Sequence, residues 1–223
     1  MARPARVKDE SMKTVLCYGD SLTWGYNAEG PARHAFEDRW PSVLGAALGS
    51  GVNVIAEGLN GRTTVFDDHA GSADRNGARL LPVMLNTHSP IDLVILFLGE
   101  NDLKPWLGGR AVAAQRGMKR LIEIVRGHAY PVDAPAPEIL IVAPPGFTET
   151  GDPDFSAIFG SRIEESRMLA SFYADLADER DCGFFDARSV ARASPVDGVH
   201  LDAANTRAIG RGLEPVVRMM LGL

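Results

Sequence analysis

Residues 15–23 read VLCYGDSLT, an apolar run that ends abruptly in a short polar segment carrying a hydroxyl group. An uninterrupted apolar run bounded by glycine is typical of an interior strand of a parallel sheet, because both faces of such a strand are covered. Ligands of open α/β sheets lie beyond the carboxyl ends of the strands. Ser21 is therefore placed to act as a nucleophile, although a serine after Asp20 also fits a turn or a helix cap.

Further apolar segments of strand length alternate with amphipathic segments along the rest of the chain. The predicted strands after the first cover residues 52–57, 92–98, 138–143 and 183–186. The predicted helices cover residues 40–48, 74–88, 111–128, 161–180 and 203–221, the last with Asp202 as its N-cap, while 147–160 is predicted as an irregular loop. This alternation indicates the α/β class: a five-stranded parallel sheet with right-handed crossovers, covered on both faces as a three-layer α/β/α sandwich.

A second reactive pair stands before the last predicted helix, in Asp197-Gly198-Val199-His200. A carboxylate three residues from an imidazole can bond one ring nitrogen and leave the other nitrogen free to act as a base. The pair is also compatible with a purely structural turn. Its position at the same predicted sheet edge as Ser21 favours a catalytic role.

The composition is that of a soluble globular protein, with 223 residues, 45% hydrophobic and 23% charged. A net charge of −6 argues against a nucleic-acid partner. Residues 1–12 are polar and lack the apolar core of a signal peptide, and no apolar run is long enough for a membrane span. We therefore expect a disordered segment at 1–12, one domain over 13–223 and a cytoplasmic protein. Cys17 and Cys182 show no metal or redox spacing and are predicted to be buried free thiols.

Four loop signatures, in their order along the chain, resemble the GDSL or SGNH hydrolase family. They are Gly19-Asp20-Ser21-Leu22, Gly58-Leu59-Asn60-Gly61, Gly99-Glu100-Asn101-Asp102 and Asp197-Gly198-Val199-His200. The resemblance runs from about residue 13 to the C-terminus and is strongest to the bacterial arylesterase and acyltransferase branch. It implies a flavodoxin-like topology, a homo-oligomer, and a serine esterase without cofactor or metal. Such an enzyme hydrolyses short-chain acyl esters of aryl or alkyl alcohols through an acyl-enzyme and also transfers acyl groups to alcohols.

The resemblance also assigns roles to individual residues. Ser21 matches the nucleophile, His200 the general base and later acid, and Asp197 the carboxylate that orients the imidazole. The oxyanion hole would use the backbone N–H groups of Ser21 and Gly61 and the side-chain amide of Asn101. Such donors are chemically sensible, because acyl transfer builds negative charge on a carbonyl oxygen.

Large apolar side chains are concentrated in the predicted site loops. They are Trp24, Trp106, Leu107, Phe147, Phe155, Ile158 and Phe159. Such a set is typical of a minor core or a subunit interface. We expect part of it, namely Trp24, Trp106, Phe147, Phe155 and Phe159, to narrow a hydrophobic entrance above Ser21 and select short acyl groups.

The sequence is also compatible with other functions. Within the same family these are a carbohydrate acetyl esterase and a lysophospholipase or thioesterase. A non-catalytic nucleotide- or flavin-binding module would use residues 19–23 to hold a phosphate, but it leaves Asp197 and His200 unexplained. A metal phosphoesterase would use a four-residue ligand set for a divalent ion, namely Asp20, Asp102, Asp197 and His200. The oxyanion donors would then have no purpose. In the esterase interpretation, Asp20 and Asp102 brace backbone N–H groups.

Overall fold

The computed structural model describes residues 12–30 and 32–223, over which strands and helices alternate. Disorder was predicted for residues 1–12, and all of these residues except Met12 lie outside the described part of the chain. The strands are β1 (Lys13–Gly19), β2 (Tyr26–Asn27), β3 (Ala32–Arg33), β4 (Val52–Gly58), β5 (Leu93–Phe97), β6 (Glu138–Ala143) and β7 (Gly183–Asp186). The helices are α1 (Ser21–Trp24), α2 (Trp40–Leu48), α3 (Gly77–His88), α4 (Ala111–Gly127), α5 (Pro153–Phe159), α6 (Ile163–Glu179) and α7 (Ala203–Leu221).

The main sheet has five strands in the order β4-β1-β5-β6-β7, and every neighbouring pair is parallel. This is the flavodoxin-like order, so the predicted fold is confirmed. The register pairs Gly19 with Gly58 on one side and with Phe97 on the other. Three neighbouring strands therefore end at the same level, and the loops that follow them leave the sheet side by side.

Both faces of the sheet are covered, which explains why its central strands lack polar alternation. Along β1, Leu16 and Tyr18 point into a core shared with α3, α4 and α6. Val15 and Cys17 point into a second core shared with α2 and α7. Among residues 12–30 and 32–223, none of the helices combines the length and apolar composition required to span a bilayer.

Two predicted helices begin later than the hydrophobic pattern indicates. α3 begins at Gly77, because the Asn76 side chain caps it by accepting a hydrogen bond from the Arg79 N–H. α6 begins at Ile163, after a short 3-10 turn. Cys17 is buried as predicted, whereas Cys182 is only half-buried, since it precedes the edge strand β7.

The prediction of an irregular loop over residues 147–160 is partly wrong, because α5 lies within it. The Asp152 carboxylate caps this helix by accepting from the N–H groups of Asp154 and Phe155, both at 3.0 Å. Pro153 occupies the first turn, where its missing N–H costs nothing. The sequence pattern missed α5 because a helix of seven residues, which begins with proline and is followed by glycine, is too short to show helical periodicity.

Candidate active site

The nucleophile candidate Ser21 is the first residue of α1, and only Asp20 separates it from the end of β1. The preceding Asp20 caps this short helix, because its carboxylate accepts from the Leu22 N–H at 3.0 Å. Gly58, at the end of β4, allows α1 to pack closely on the sheet: a Cβ there would lie 2.2 Å from the Trp24 nitrogen. The strand end, the cap and the neighbouring glycine together hold the Ser21 hydroxyl in one place.

Three side chains from distant parts of the chain form one hydrogen-bonded series. The His200 Nε2 lies 3.0 Å from the Ser21 Oγ, and the His200 Nδ1 lies 2.7 Å from an Asp197 carboxylate oxygen. The other Asp197 oxygen accepts from the N–H groups of Val199 and His200, at 2.9 and 2.8 Å. Gly198 permits this tight turn with a φ of +78°.

The charges of this series fit proton transfer from the serine to the histidine. Burial alone would raise the pKa of Asp197, but the hydrogen bond and charge of His200 and two backbone N–H groups outweigh burial and hold it below its ordinary value. An ionised Asp197 accepts the Nδ1–H of His200. The lone pair on Nε2 is then directed at the Ser21 hydroxyl, which is the tautomer that a general base requires.

The three residues expected to supply oxyanion donors lie next to one another. Ser21, Gly61 and Asn101 line the same cavity. The N–H of Ser21 belongs to the first residue of a helix, so no helix carbonyl can accept it. Gly61 has a φ of +81°, and a Cβ at this position would lie 2.5 Å from the Arg75 guanidinium. The Asn101 amide is oriented by donating to Asp20 at 3.3 Å.

A buried carboxylate ties the loop after β4 to the loop after β5. Asp102 is fully buried and accepts from the Thr64 N–H at 3.0 Å and from the Thr64 hydroxyl. Burial raises the pKa of Asp102 to about 7, although the hydrogen bonds from Thr64 oppose this shift. Asp102 therefore braces the loop that follows Gly61.

An ion-pair cluster ties the same two loops together at a second place. The side chain of Asp68 is fully buried and accepts from Lys104 at 2.7 Å, Arg75 at 2.9 Å and Trp106 at 3.3 Å. Burial opposes ionisation of Asp68, but the hydrogen bond and charge of Lys104 outweigh burial and lower its pKa to about 2. Because Arg75 also lies against Gly61, this cluster supports the backbone beside Ser21.

The comparisons with known proteins agree with this geometry. A family model described as the GDSL-like Lipase/Acylhydrolase family matches residues 17–208, which is most of the chain. The chain belongs to this family. The predicted GDSL or SGNH membership is therefore confirmed. A comparison with curated proteins found no match.

Solved structures of similar proteins include two kinds of esterase. A carbohydrate acetylesterase family member from Sinorhizobium meliloti is 64% identical over 95% of this chain and 100% of its own, with a TM-score of 0.94. An aryl esterase from M. smegmatis is 40% identical over 94% of this chain and 100% of its own, with a TM-score of 0.89. A second S. meliloti carbohydrate acetylesterase is 37% identical over 93% and 99%, with a TM-score of 0.88.

The cavity of this acylhydrolase that contains Ser21 is small, at about 190 Å³. Pockets for drug-sized ligands usually measure about 300–1,000 Å³. Its apolar lining comes from Phe155, Ile158, Phe159 and Val199. A second cavity of about 480 Å³ lies beside it, and Phe155 and Phe159 line both. These two aromatic side chains therefore form the wall between the cavities.

Three aromatic residues predicted for the entrance are not among the side chains that line the cavity. The Arg33 guanidinium packs over the Trp24 ring, with its central carbon 4.7 Å from the ring centroid. Trp106 is 53% exposed, and its Nε1–H donates to Asp68. Phe147 is buried behind Phe159, with ring centroids 4.7 Å apart. The prediction was wrong for these three because loop membership does not determine the direction of a side chain.

Four polar residues of the cavity lining received no role from the sequence, namely Tyr26, Asn60, Glu100 and Lys104. Tyr26 is brought to the site by the short β2–β3 pair, and no sequence motif indicates this. Lys104 lines the cavity while it pairs with Asp68. Glu100 is buried, and neither of its carboxyl oxygens has a hydrogen-bond partner among the described residues. Burial and the charges of nearby carboxylates raise its pKa well above the ordinary value.

Across residues 12–30 and 32–223, no group of three or more His, Cys, Asp or Glu side chains is arranged to hold a metal ion. Asp102, one of the ligands in the metal-phosphoesterase interpretation, is engaged by Thr64 instead. The described side chains therefore do not fit a metal centre of that kind.

Proposed function

We propose that this chain is a serine esterase that cleaves short-chain acyl esters through an acyl-enzyme. Membership of a lipase and acylhydrolase family makes the chain a carboxylic ester hydrolase. The proposal of a serine mechanism is based on the hydrogen-bonded series from Ser21 Oγ through His200 to Asp197. Ser21 and His200 line a cavity that Asn101 also lines. A nucleophile, a base oriented by a carboxylate and an adjacent amide donor are the parts that acyl transfer requires.

The first half-reaction forms the acyl-enzyme. The Ser21 Oγ attacks the ester carbonyl carbon while its proton passes to the Nε2 of His200. The carbonyl oxygen becomes an oxyanion, which the N–H groups of Ser21 and Gly61 and the amide of Asn101 stabilise. Asp197 stays ionised and stabilises the imidazolium. The imidazolium then gives its proton to the departing alcohol oxygen as the tetrahedral intermediate collapses.

In the second half-reaction the same residues hydrolyse the acyl-enzyme, with water as the nucleophile and Ser21 as the leaving group. His200 removes a proton from water, whose oxygen attacks the acyl carbon, and the proton then returns to the Ser21 Oγ as the acid leaves. An alcohol that replaces water at this step gives a new ester. We propose acyl transfer to alcohols on this basis, because the apolar cavity lining favours a bound alcohol over water.

The substrate class is proposed from the cavity and from the neighbours. A volume of about 190 Å³ suits acetyl and propionyl groups. The similar solved structures are those of an aryl esterase and of carbohydrate acetylesterases. We propose short-chain esters of aryl or alkyl alcohols, with acetylated carbohydrates as the second candidate.

A serine-directed phosphonate tests the mechanism. We expect one covalent adduct, located on Ser21 by peptide mass measurement, together with complete loss of ester hydrolysis. The matched control is Ser21→Ala, which should take up no phosphonate. An unmodified protein that loses hydrolysis in the presence of a chelator would contradict the proposal in favour of metal-dependent chemistry.

Two further proposals rest on the resemblance and the composition rather than on the site. We propose that the protein is a homo-oligomer, and that it works in the cytoplasm. Light scattering of the purified chain tests the first proposal, since a mass near 24.0 kDa would contradict it. Fractionation of cells that express the chain tests the second.

A further inference from the structure

The ring of Tyr26 lies against the ring of His200, and the mechanism above gives Tyr26 no role. The two ring centroids are 4.1 Å apart and the ring planes are inclined by 32°. The ring of Phe155 lies 5.6 Å from the same imidazole and is nearly perpendicular to it, at 83°. The imidazole therefore has an aromatic face close against it in addition to its hydrogen bonds.

The position of Tyr26 is determined by contacts at both of its ends. On one side, Gly25 ends α1 in the left-handed conformation, with a φ of +90° and its N–H bonded to the Ser21 carbonyl. On the other side, Asn27 forms a parallel bridge with Leu201, the residue after His200. The Tyr26 backbone thus joins the segment that carries the nucleophile to the segment that carries the base.

The contact between Tyr26 and His200 affects the charge that His200 acquires during the reaction. In both half-reactions His200 gains a proton and becomes a cation in the transition state. The face of an aromatic ring carries partial negative charge and attracts a cation within about 6 Å of its centroid. The contact at 4.1 Å is inside this range. It therefore stabilises the protonated imidazole more than the neutral one.

We propose that Tyr26 is a positioning residue for His200, whose ring face holds the imidazole between Ser21 and Asp197 and stabilises the imidazolium in the transition state. The inference rests on the proposed function, because it assumes that His200 takes the proton of Ser21. The ring of Tyr26 performs this role, so the phenolic hydroxyl is dispensable.

The test compares Tyr26→Leu with the matched control Tyr26→Phe in the full chain. The pH profile of kcat/KM for p-nitrophenyl acetate is measured for each protein. For Tyr26→Leu we expect the plateau to fall by about 2- to 30-fold and the acid limb to move to lower pH by about 0.4 to 1.5 units, as expected for a lost cation–π contact. Tyr26→Phe should keep both the plateau and the limb.

The direction of the pH shift separates this role from a merely structural one. Loss of the ring face makes the imidazolium less stable, so the base is deprotonated at lower pH. Simple exposure of His200 to water would move the limb upward. The titratable groups facing His200 are Asp197 and Asp20, with Glu100 close to both carboxylates, and the substitutions leave all three unchanged.

Several outcomes would overturn the inference. An unchanged or upward-shifted acid limb in Tyr26→Leu would do so, and so would a loss of activity in Tyr26→Phe equal to that in Tyr26→Leu. If Tyr26→Leu does not fold, pentafluorophenylalanine at position 26 keeps the ring shape and reverses the charge of its face. The same downward shift is then expected, and an unshifted limb contradicts the inference. Persistence of hydrolysis in Ser21→Ala would instead refute the proposed function itself.

Discussion

Truncation of Phe155 should broaden the acyl chains that the enzyme accepts. Phe155 is part of the wall between the cavity of about 190 Å³ that contains Ser21 and the neighbouring cavity of about 480 Å³. Phe155→Ala removes the aromatic ring from this wall, so longer chains can extend into the larger space. Phe155 is only partly buried, so its loss should cost less than the about 3–5 kcal/mol of a fully buried Phe→Ala change.

The size of the effect follows from the cost of a methylene group that does not fit. A hydrophobic pocket discriminates by about 1–3 kcal/mol per methylene. If the truncation admits two more methylenes at about 1 kcal/mol each, kcat/KM for octanoyl esters rises about 30-fold relative to acetyl esters. The acetyl ester itself should change little, since it already fits.

The assay is a series of p-nitrophenyl esters from acetyl to decanoyl, with kcat/KM measured for each. The matched control is Trp24→Ala, a truncation of similar size in a residue that does not line the cavity. It should keep the parent chain-length profile. An unchanged profile in Phe155→Ala, or equal broadening in Trp24→Ala, would show that the wall between the cavities does not set chain length.

Three other predictions follow from the site. Ser21→Ala and His200→Ala should each lower kcat by about 10⁴-fold or more, and the double variant should be no slower than the worse single variant, because the two groups act as one unit; losses that multiply would contradict this. Asn101→Ala should lower kcat by roughly 100-fold or more with little change in KM, whereas retained turnover with a lower Tm would make Asn101 a scaffold residue. Because burial raises the pKa of Asp102 from 3.8 to about 7, the folded state binds this proton more tightly than the unfolded state does. Its stabilising contribution is therefore full below about pH 4 and is lost as the pH rises to about 7. Relative to Asp102→Asn, the wild-type free energy of unfolding from urea titration should fall by up to about 1.4 kcal/mol per pH unit across this window, and a constant difference would argue against it.

The predicted elements agree with the structure where one residue pattern dominates. The run at 92–98 and the segment at 138–143 became buried central strands because both their faces are covered. The helix at 40–48 matched because proline near its start and glycine after its end mark both boundaries. Where a side-chain cap sets the boundary, as Asn76 does for α3, the hydrophobic pattern placed the start too early.

The sequence by itself determined the α/β class, the strand ends and the family, because these depend on periodicity and on short motifs that are contiguous in the chain. It also indicated that Ser21 and His200 share one sheet edge, since parallel strands all end on the same side. Only the tertiary structure decided which side chains meet there. Tyr26 reached His200 through a two-residue strand pair, and Trp24 turned to Arg33. Loop side chains are oriented by contacts with residues far away in the sequence, so local sequence patterns do not predict the direction of these side chains.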